Sequence, residues 1–297
     1  MYWLVTGAGG FIGSHVFSEL IKKDKVGIVR DIPSKLSGTY AIGDLRNRDF
    51  VDRVFHEYRP ELVIHTAAQS IVSSSFAYPQ ETYSSNVMGM VNIIEGCKKV
   101  NAKLIHLSTD KVLGEGLGKK ENERPNYNFA GGPYILSKIM QEILVEQSGL
   151  QYIILRSCNA YGPEDNNPRI IPNMVREALT KGAITVFKEN EPSIRQYVYI
   201  SDLVRAIIAC TKFVDHEWKT VYHVGTPDIK TQMQVAKTIS KYTGAEIVEV
   251  PDTRKIIEIK KQSLDYELLV SRGWRPTVDF NTGIMETVAY WKQELGK

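Results

Sequence analysis

The chain of 297 residues has only three cysteines, Cys97, Cys158 and Cys210, far apart and in apolar contexts. So few and so scattered, they exclude a disulfide framework and offer no metal-ligand spacing. Buried reduced thiols are expected, as in a cytoplasmic protein. No apolar run of about 18 residues is present, so no membrane span is expected. The opening MYWLVTGAGGFIGSH lacks the basic start, long apolar core and small-residue cleavage site of a secretion signal. A dominant charge is missing as well. The formal net charge is +3, and no basic run with interleaved aromatics points to nucleic acid. There is no Gly-Lys-Ser/Thr phosphate loop, which argues against a kinase-type site. What remains is an ordinary globular balance, 43% hydrophobic and 24% charged, in a chain long enough for one large domain or two smaller ones.

Short apolar runs alternate with amphipathic stretches. YWLVTG, VGIVRD, ELVIHTAA, AKLIHLST and QYIILRSCN read as strands. IGSHVFSELIKK, the stretch 49–58, SSNVMGMVNIIEGCKKV and YILSKIMQEILVEQS read as helices. This order predicts βαβ units and an α/β fold, a Rossmann-type doubly wound parallel sheet buried on both faces. After Asn159 the segment AYGPEDNNPRIIP is loop by composition. A helix (NMVREALTKG) and a strand (ITVF) follow, and RQYVYISDLVRAIIACTKF runs from strand into a helix capped by Ser201 or Asp202. The predicted division is a nucleotide-binding Rossmann domain over 1–160, with 196–225 returning to it. Residues 161–195 and 226–297 form a smaller, interleaved C-terminal substrate lobe.

Gly7, Gly10 and Gly13 in TGAGGFIG lie between the first strand and first helix, with Phe11 and Ile12 opening that helix. Glycines allow a tight turn, close approach of backbone to a pyrophosphate and close packing of helix on sheet. Asp31 ends the second strand, where a carboxylate hydrogen-bonds a ribose diol and repels a 2′-phosphate, favouring NAD over NADP. Arg30 beside it is able to accept that phosphate, so the alternative stays open. Asp44 and Leu45 of GDLRN, and Ala67 and Ala68 of HTAAQ, fall along the same cofactor. Small residues for a tight turn explain HTAAQ almost as well.

Tyr134 and Lys138 are four apart in YILSK, on one helix face, and Ser108 and Thr109 end the preceding strand. In that arrangement Lys138 and a nicotinamide charge stabilise a Tyr134 phenolate, lowering its pKa toward the working pH. Tyr134 then takes a proton from a substrate hydroxyl held by Thr109 while hydride leaves the same carbon. Asp110 and Lys111 follow directly, and an acid and an amine there suggest a second proton transfer.

The set TGAGGFIG, Asp31, GDL, HTAAQ, the SNVMG helix, STDK and YILSK resembles an extended short-chain dehydrogenase/reductase over essentially the whole chain. RSCNAYGPEDNNPRIIP and SIRQYVYISDLVRAI are similar to its nucleotide-sugar epimerase/dehydratase branch. That resemblance implies NAD as cofactor and a nucleotide sugar held by Ser70, Asn159, Arg169 and Arg195, the two guanidiniums on the diphosphate. It implies a nucleobase site around 172–187 and a homodimer through helices 81–99 and 134–148. The branch's epimerases place small hydroxyls at the strand end, whereas its 4,6-dehydratases place Thr-Asp-Glu or an Asp-Lys pair there. VGIVRDIP, STDKV and NPRIIP look most like the CDP-glucose 4,6-dehydratase group. The implied reaction is C4 oxidation, loss of water across C5 and C6, and return of hydride to C6, with Asp110 as acid and Lys111 as base. Burial is expected to hold a proton on the first and off the second. Two departures stand out. Val112-Leu113-Gly114 replaces the usual Val-Tyr-Gly, removing an aromatic from the sugar, and Ile135 and Leu136 follow Tyr134. A nucleotide-sugar 4-epimerase or C4 dehydrogenase, needing only Thr109, Tyr134 and Lys138, is the alternative, and a non-catalytic NAD-binding protein a remote one.

Overall fold

The computed structural model describes residues 2–31, 37–127, 131–188, 191–252 and 259–296. Its centre is a seven-stranded sheet in which every pairing is parallel. Five of the strands are β1 (Trp3–Thr6), β2 (Lys25–Val29), β3 (Thr39–Ile42), β4 (Leu62–His65) and β5 (Lys103–Thr109). The strands Tyr152–Ser157 and Thr220–Val224 complete the far edge, beyond β5. From that edge the order is 220–224, 152–157, β5, β4, β1, β2, β3. The chain reverses direction of winding between β1 and β4, so the carboxyl ends of those strands open a crevice. All four side chains of β1, and all four of β4, are buried, because helices cover both faces of the sheet. Strand β3 was not foreseen; it is an edge strand with exposed ends and a half-buried middle, a pattern weak in sequence.

The helices form where capping and periodicity agree. Helix α1 (Phe11–Glu19) starts on the glycine turn and ends at Leu20, shorter than the run IGSHVFSELIKK suggests, and Ile21 is left 81% exposed. In α2 (Arg48–Tyr58) the Asn47 side chain accepts a hydrogen bond from the Phe50 amide, and Phe50, Val51, Val54 and Phe55 face inward. Gly96 of helix α5 (Gly89–Val100) lies under Phe55, where an added methyl would come within 2.6 Å of the ring. The helix expected over 84–100 is interrupted. Short helices α3 (Val72–Ala77) and α4 (Pro79–Tyr83) lead into a π-helical turn, Ser84–Met88, before α5 begins. Helix α6 (Gly132–Glu146) carries Tyr134 and Lys138.

A second sheet joins Ile194–Tyr199 to Asn159–Tyr161, Lys261–Leu264 and Ile229–Thr231, with Gly116–Lys119 beyond. Ala183–Lys188 and Glu246–Pro251 pair separately as two parallel strands. These two smaller sheets, the first of mixed parallel and antiparallel pairing, are separate from the large parallel sheet. Neither Ser201 nor Asp202 caps the helix Ile200–Cys210, which starts from Tyr199 without a side-chain cap. Asp202 instead accepts hydrogen bonds from the Thr277 and Val278 amides and pairs with Arg205, pinning a distant loop. Among the described residues no helix is long and apolar enough to cross a membrane, and no group of three or more His, Cys, Asp or Glu stands ready to hold a metal. All three cysteines are buried and free.

Candidate active site

A cleft of about 1510 Å³ opens along the carboxyl ends of the central strands. One end is made by backbone. Gly7 (φ +69) turns the chain, and its amide donates to Ile28 O across the sheet. A methyl at Gly7 would meet the Ala67 backbone at 2.8 Å, and one at Gly13 would meet Gly7 O at 2.1 Å. Gly10 has only Gly7 O nearby, at 3.3 Å, and faces the cleft. The first turn of α1 has neither a side-chain cap nor an acidic residue, so its free amides suit an anion. Gly7, Gly10, Phe11, Ile12, Gly13 and Ala68 all line this end, as expected from the sequence. The cradle fits a dinucleotide pyrophosphate.

The rest of the expected cofactor set lies off the wall. Arg30, rather than Asp31, lines the cleft, while Asp31 is exposed at the end of β2. The Asp44 carboxylate turns to Arg46 at 2.6 Å, which holds it below the ordinary carboxylate range. Leu45 is buried, and its carbonyl accepts from Asn92. Ala67 sits beneath Gly7 with its amide donating to Thr6 Oγ1 at 3.3 Å.

The opposite wall is made by side chains. Strand β5 ends at Thr109, whose hydroxyl starts a 3-10 turn, Asp110–Leu113, by accepting the Lys111 amide at 3.3 Å. Ser108, Thr109 and Lys111 line the cleft with Tyr134 and Lys138 of α6. Asp110 does not; it is fully buried just behind, accepting from Thr109 Oγ1 at 3.0 Å and facing Lys111 Nζ at 3.5 Å. Its second oxygen has no partner among the described residues. Lys111 Nζ also donates to Asn159 Oδ1 at 3.0 Å. Burial lowers the Lys111 pKa; Asp110 opposes this, and Arg195 and Arg169 add to it. Ser70, Asn159, Arg169 and Arg195 line the same cleft, and Arg169 reaches Ser70 Oγ at 3.2 Å.

Two expectations need correction. The Tyr134 pKa is raised, not lowered: burial dominates, Asp110 adds to it, and Arg169 and the Thr109 hydroxyl only offset it. Lys138 does not act on it because its ammonium donates to Leu107 O at 2.7 Å and faces His106 Nε2 at 3.4 Å. Burial brings Lys138 down to about 7 against the opposing Glu142. A phenolate thus requires charge that the protein by itself does not supply. Secondly, Leu113 is packed in the core and does not line the cleft, since the 3-10 turn points it inward. Leu113 is therefore not part of the cleft wall. Ile135 lines the cleft and Leu136 faces outward.

Several residues behind the wall were not singled out from the sequence. Buried Asn86, in the π-helical turn, accepts from the Gln69 amide at 2.7 Å and donates to Ser137 Oγ at 2.8 Å, tying the loop after β4 to α6. Glu142, one turn after Lys138, accepts from Ser108 Oγ at 2.5 Å and from Arg156 through both carboxylate oxygens. Arg156 and Glu142 are only 2% and 1% exposed, so this ion pair locks strand end to helix. The spacing of Tyr134, Lys138 and Glu142 at four-residue intervals was the available clue.

Comparison with known proteins gives the class. Residues 3–225 match the NAD dependent epimerase/dehydratase family, and the chain belongs to it; its cofactor is NAD. It is similar to a trifunctional UDP-glucose 4,6-dehydratase/UDP-4-keto-6-deoxy-D-glucose 3,5-epimerase/UDP-4-keto-L-rhamnose-reductase of Arabidopsis thaliana, 27% identical over 98% of this chain and 47% of that protein. The chain thus spans about half the length of such plant relatives. Among solved structures, the UDP-glucose 4-epimerase of Thermotoga maritima with UDP-glucose superimposes with a TM-score of 0.90, at 28% identity, over 99% of this chain and all of that one. The dTDP-glucose 4,6-dehydratase of Streptomyces venezuelae with NAD bound gives 0.89 at 25% identity, over 100% of this chain and 98% of that one.

Proposed function

We propose that the protein is a nucleotide-sugar 4,6-dehydratase. The observation that carries this reading is the Thr109-Asp110-Lys111 turn, which sets an amine on the cleft wall beside Tyr134 with a buried carboxyl 3.5 Å behind it. When bound, NAD supplies reversible hydride acceptance. Gly7, Gly10 and Gly13 hold its pyrophosphate against α1, with Phe11, Ile12 and Ala68 alongside and Lys138 and Ser108 near the nicotinamide end. Asp31, Asp44, Leu45 and Ala67 support the same cofactor from positions off the wall. Ser70, Asn159, Arg169 and Arg195 hold the nucleotide sugar, the arginines by charge-assisted contacts to the diphosphate.

Thr109 orients the C4 hydroxyl and Tyr134 takes its proton as hydride departs, leaving a ketone. The ketone acidifies the C5 proton. Lys111, whose pKa burial lowers against the opposing charge of Asp110, with Arg195 and Arg169 adding to the lowering, removes it. The C6–oxygen bond breaks, and the oxygen leaves as water with a proton from Asp110. Because Asp110 is behind the wall, that proton travels through Lys111 Nζ. With NAD bound, the stored hydride would return to C6 while Lys111 gives its proton back to C5, yielding a 4-keto-6-deoxy sugar, and the proton held by Tyr134 offsets the one lost by Asp110 through solvent exchange.

The test is incubation with CDP-, UDP-, dTDP- and GDP-hexoses, followed by mass spectrometry. Wild type is expected to remove one water from one of them. Lys111→Met is expected to lose at least ~100-fold of that rate, by the usual worth of a positioned base, while still oxidising C4. Full dehydration by Lys111→Met overturns the reading. The 4-epimerase reading is favoured by one observation, the absence of Asp110 from the wall; an Asp110→Asn protein with undiminished turnover and no water loss supports it.

The division proposed from sequence, 1–160 with 196–225 against 161–195 with 226–297, assigns cofactor and substrate to the two parts. We also propose a cytoplasmic homodimer. Leu136, Met140 and Ile143 repeat along α6 at 38%, 43% and 41% exposure, with Met88 at 51%, an apolar stripe suited to a second copy. A monomer by light scattering overturns that part.

A further inference from the structure

Gln262 lies in the strand Lys261–Leu264, in register with Arg195 on the parallel neighbour. It is 1% exposed and lines the cleft. Neither its amide nitrogen nor its amide oxygen has a hydrogen-bond partner among the described residues. Buried primary amides are partnered as a rule, because leaving both ends unmade forfeits their solvation without return. This strand also packs against the Asp110–Leu113 turn, which places the amide on the side of the cleft where Lys111 stands.

We infer that Gln262 is a specificity residue that reads hydroxyl groups of the hexose. The inference deepens the nucleotide-sugar reading and rests on it. The chemistry of the amide selects the ligand group. Phosphate oxygens only accept, so the Gln262 carbonyl finds no donor on a diphosphate, and Arg195 and Arg169 already offer cations there. A hydroxyl both donates and accepts, so one or two sugar hydroxyls satisfy both ends of the amide. A nucleobase edge has matching chemistry, but the base region proposed around 172–187 reaches the cleft through Glu177, Thr185 and Phe187, on elements other than the strand that carries Gln262 against the Asp110–Leu113 turn. Lys111 and Asn159 are already bonded to each other, whereas both ends of the Gln262 amide are without a partner among the described residues.

The test compares the NAD-loaded wild type with Gln262→Leu and Gln262→Glu by calorimetry, using two probe pairs, UDP-glucose with UDP and dTDP-glucose with dTDP. The quantity read is the ratio of Kd for the diphosphate to Kd for its glucose conjugate. In Gln262→Leu this hexose increment is expected to shrink about tenfold, the worth of one buried hydrogen bond to a neutral partner, with diphosphate affinity unchanged within about twofold. Without ligand, Gln262→Leu is expected to melt no lower than wild type, since an apolar side chain of similar size replaces an unsatisfied amide. Equal weakening toward diphosphate and conjugate overturns the inference, and so does an unchanged hexose increment in both variants, which would leave the amide to water alone. Loss of the increment in a protein that never eliminates water upholds Gln262 as the hexose reader and refutes the dehydratase reading separately. Where wild type binds neither pair, the same comparison is made with CDP-glucose and CDP and with GDP-glucose and GDP, and a wild type that binds none of the four refutes both.

Discussion

The glycine turn at residues 7–13 and the wall at residues 108–138 face the same cleft, yet they are made of different material. The turn is backbone: its shape follows from what is missing at Gly7 and Gly13, where a methyl would fall 2.8 Å from Ala67 and 2.1 Å from Gly7 O. The wall is side chain: Thr109, Lys111, Tyr134 and Lys138 come from a strand end, a 3-10 turn and a helix, braced by Asn86 and by the Glu142–Arg156 pair. A backbone site is written within a few consecutive residues and tolerates little change in any one of them. A side-chain site distributes its chemistry, so each residue can be removed without collapsing the rest. The two should therefore fail differently.

The largest expected effect is on the wall. Tyr134→Phe should cut turnover by about 10²–10⁴-fold, the range of a positioned acid–base group, while NAD titration and melting temperature stay near wild type. An active Tyr134→Phe protein would break the comparison by taking the wall out of the chemistry. Next comes the turn. Gly13→Ala forces its methyl onto Gly7 O, at a cost of about 1–3 kcal/mol in overpacking, so NAD affinity and thermal stability should fall together. If only turnover fell, the turn would be behaving like a wall residue.

The most gradual effect, small over any one pH unit, is a pH dependence. Lys138 titrates near 7 in the folded chain against 10.5 ordinarily, because burial outweighs the attraction of Glu142. Its other close neighbours, His106 and His65, are themselves held neutral by burial and by Lys138, His65 down to about 3. Between about pH 7 and 10.5 the unfolded chain binds more protons than the folded one, so stability without ligand rises with pH across that window. It is lost as pH falls back toward 7. The slope from this one group is at most about 1.4 kcal/mol per pH unit. Lys111, lowered in the same direction, adds to it. Denaturant titrations at several pH values should show Lys138→Met flattening the slope; an unchanged slope would mean that Lys138 stays charged when buried.

Legibility in the sequence followed the same division. Gly7, Gly10 and Gly13 were readable because three missing side chains between an apolar run and a helix have few other uses. The parallel sheet was readable because strands buried on both faces must be apolar throughout. Tyr134 with Lys138 was visible as helical spacing. The π-helical turn at Ser84–Met88 was not, because nothing in SSNVM interrupts a helical pattern; the break is held by Asn86, bonded to Gln69 and Ser137 from outside the helix. The position of Asp110 behind the wall, the inward turn of Leu113 and the raised Tyr134 pKa escaped for one reason. Each depends on burial, which is set by what packs against the residue.

The sequence by itself determined the fold class, the cofactor turn and the identity of the groups able to move protons, since these follow from local periodicity, missing side chains and residue chemistry. Tertiary structure decided which of those groups face the cleft. It set Lys111 on the wall and Asp110 behind it, spent the Lys138 ammonium on Leu107 O, and brought Gln262 from 151 positions beyond Lys111 to the same cavity with its amide bare. Solvation and neighbouring charge vary over a few ångströms, and those distances exist only once the chain has packed.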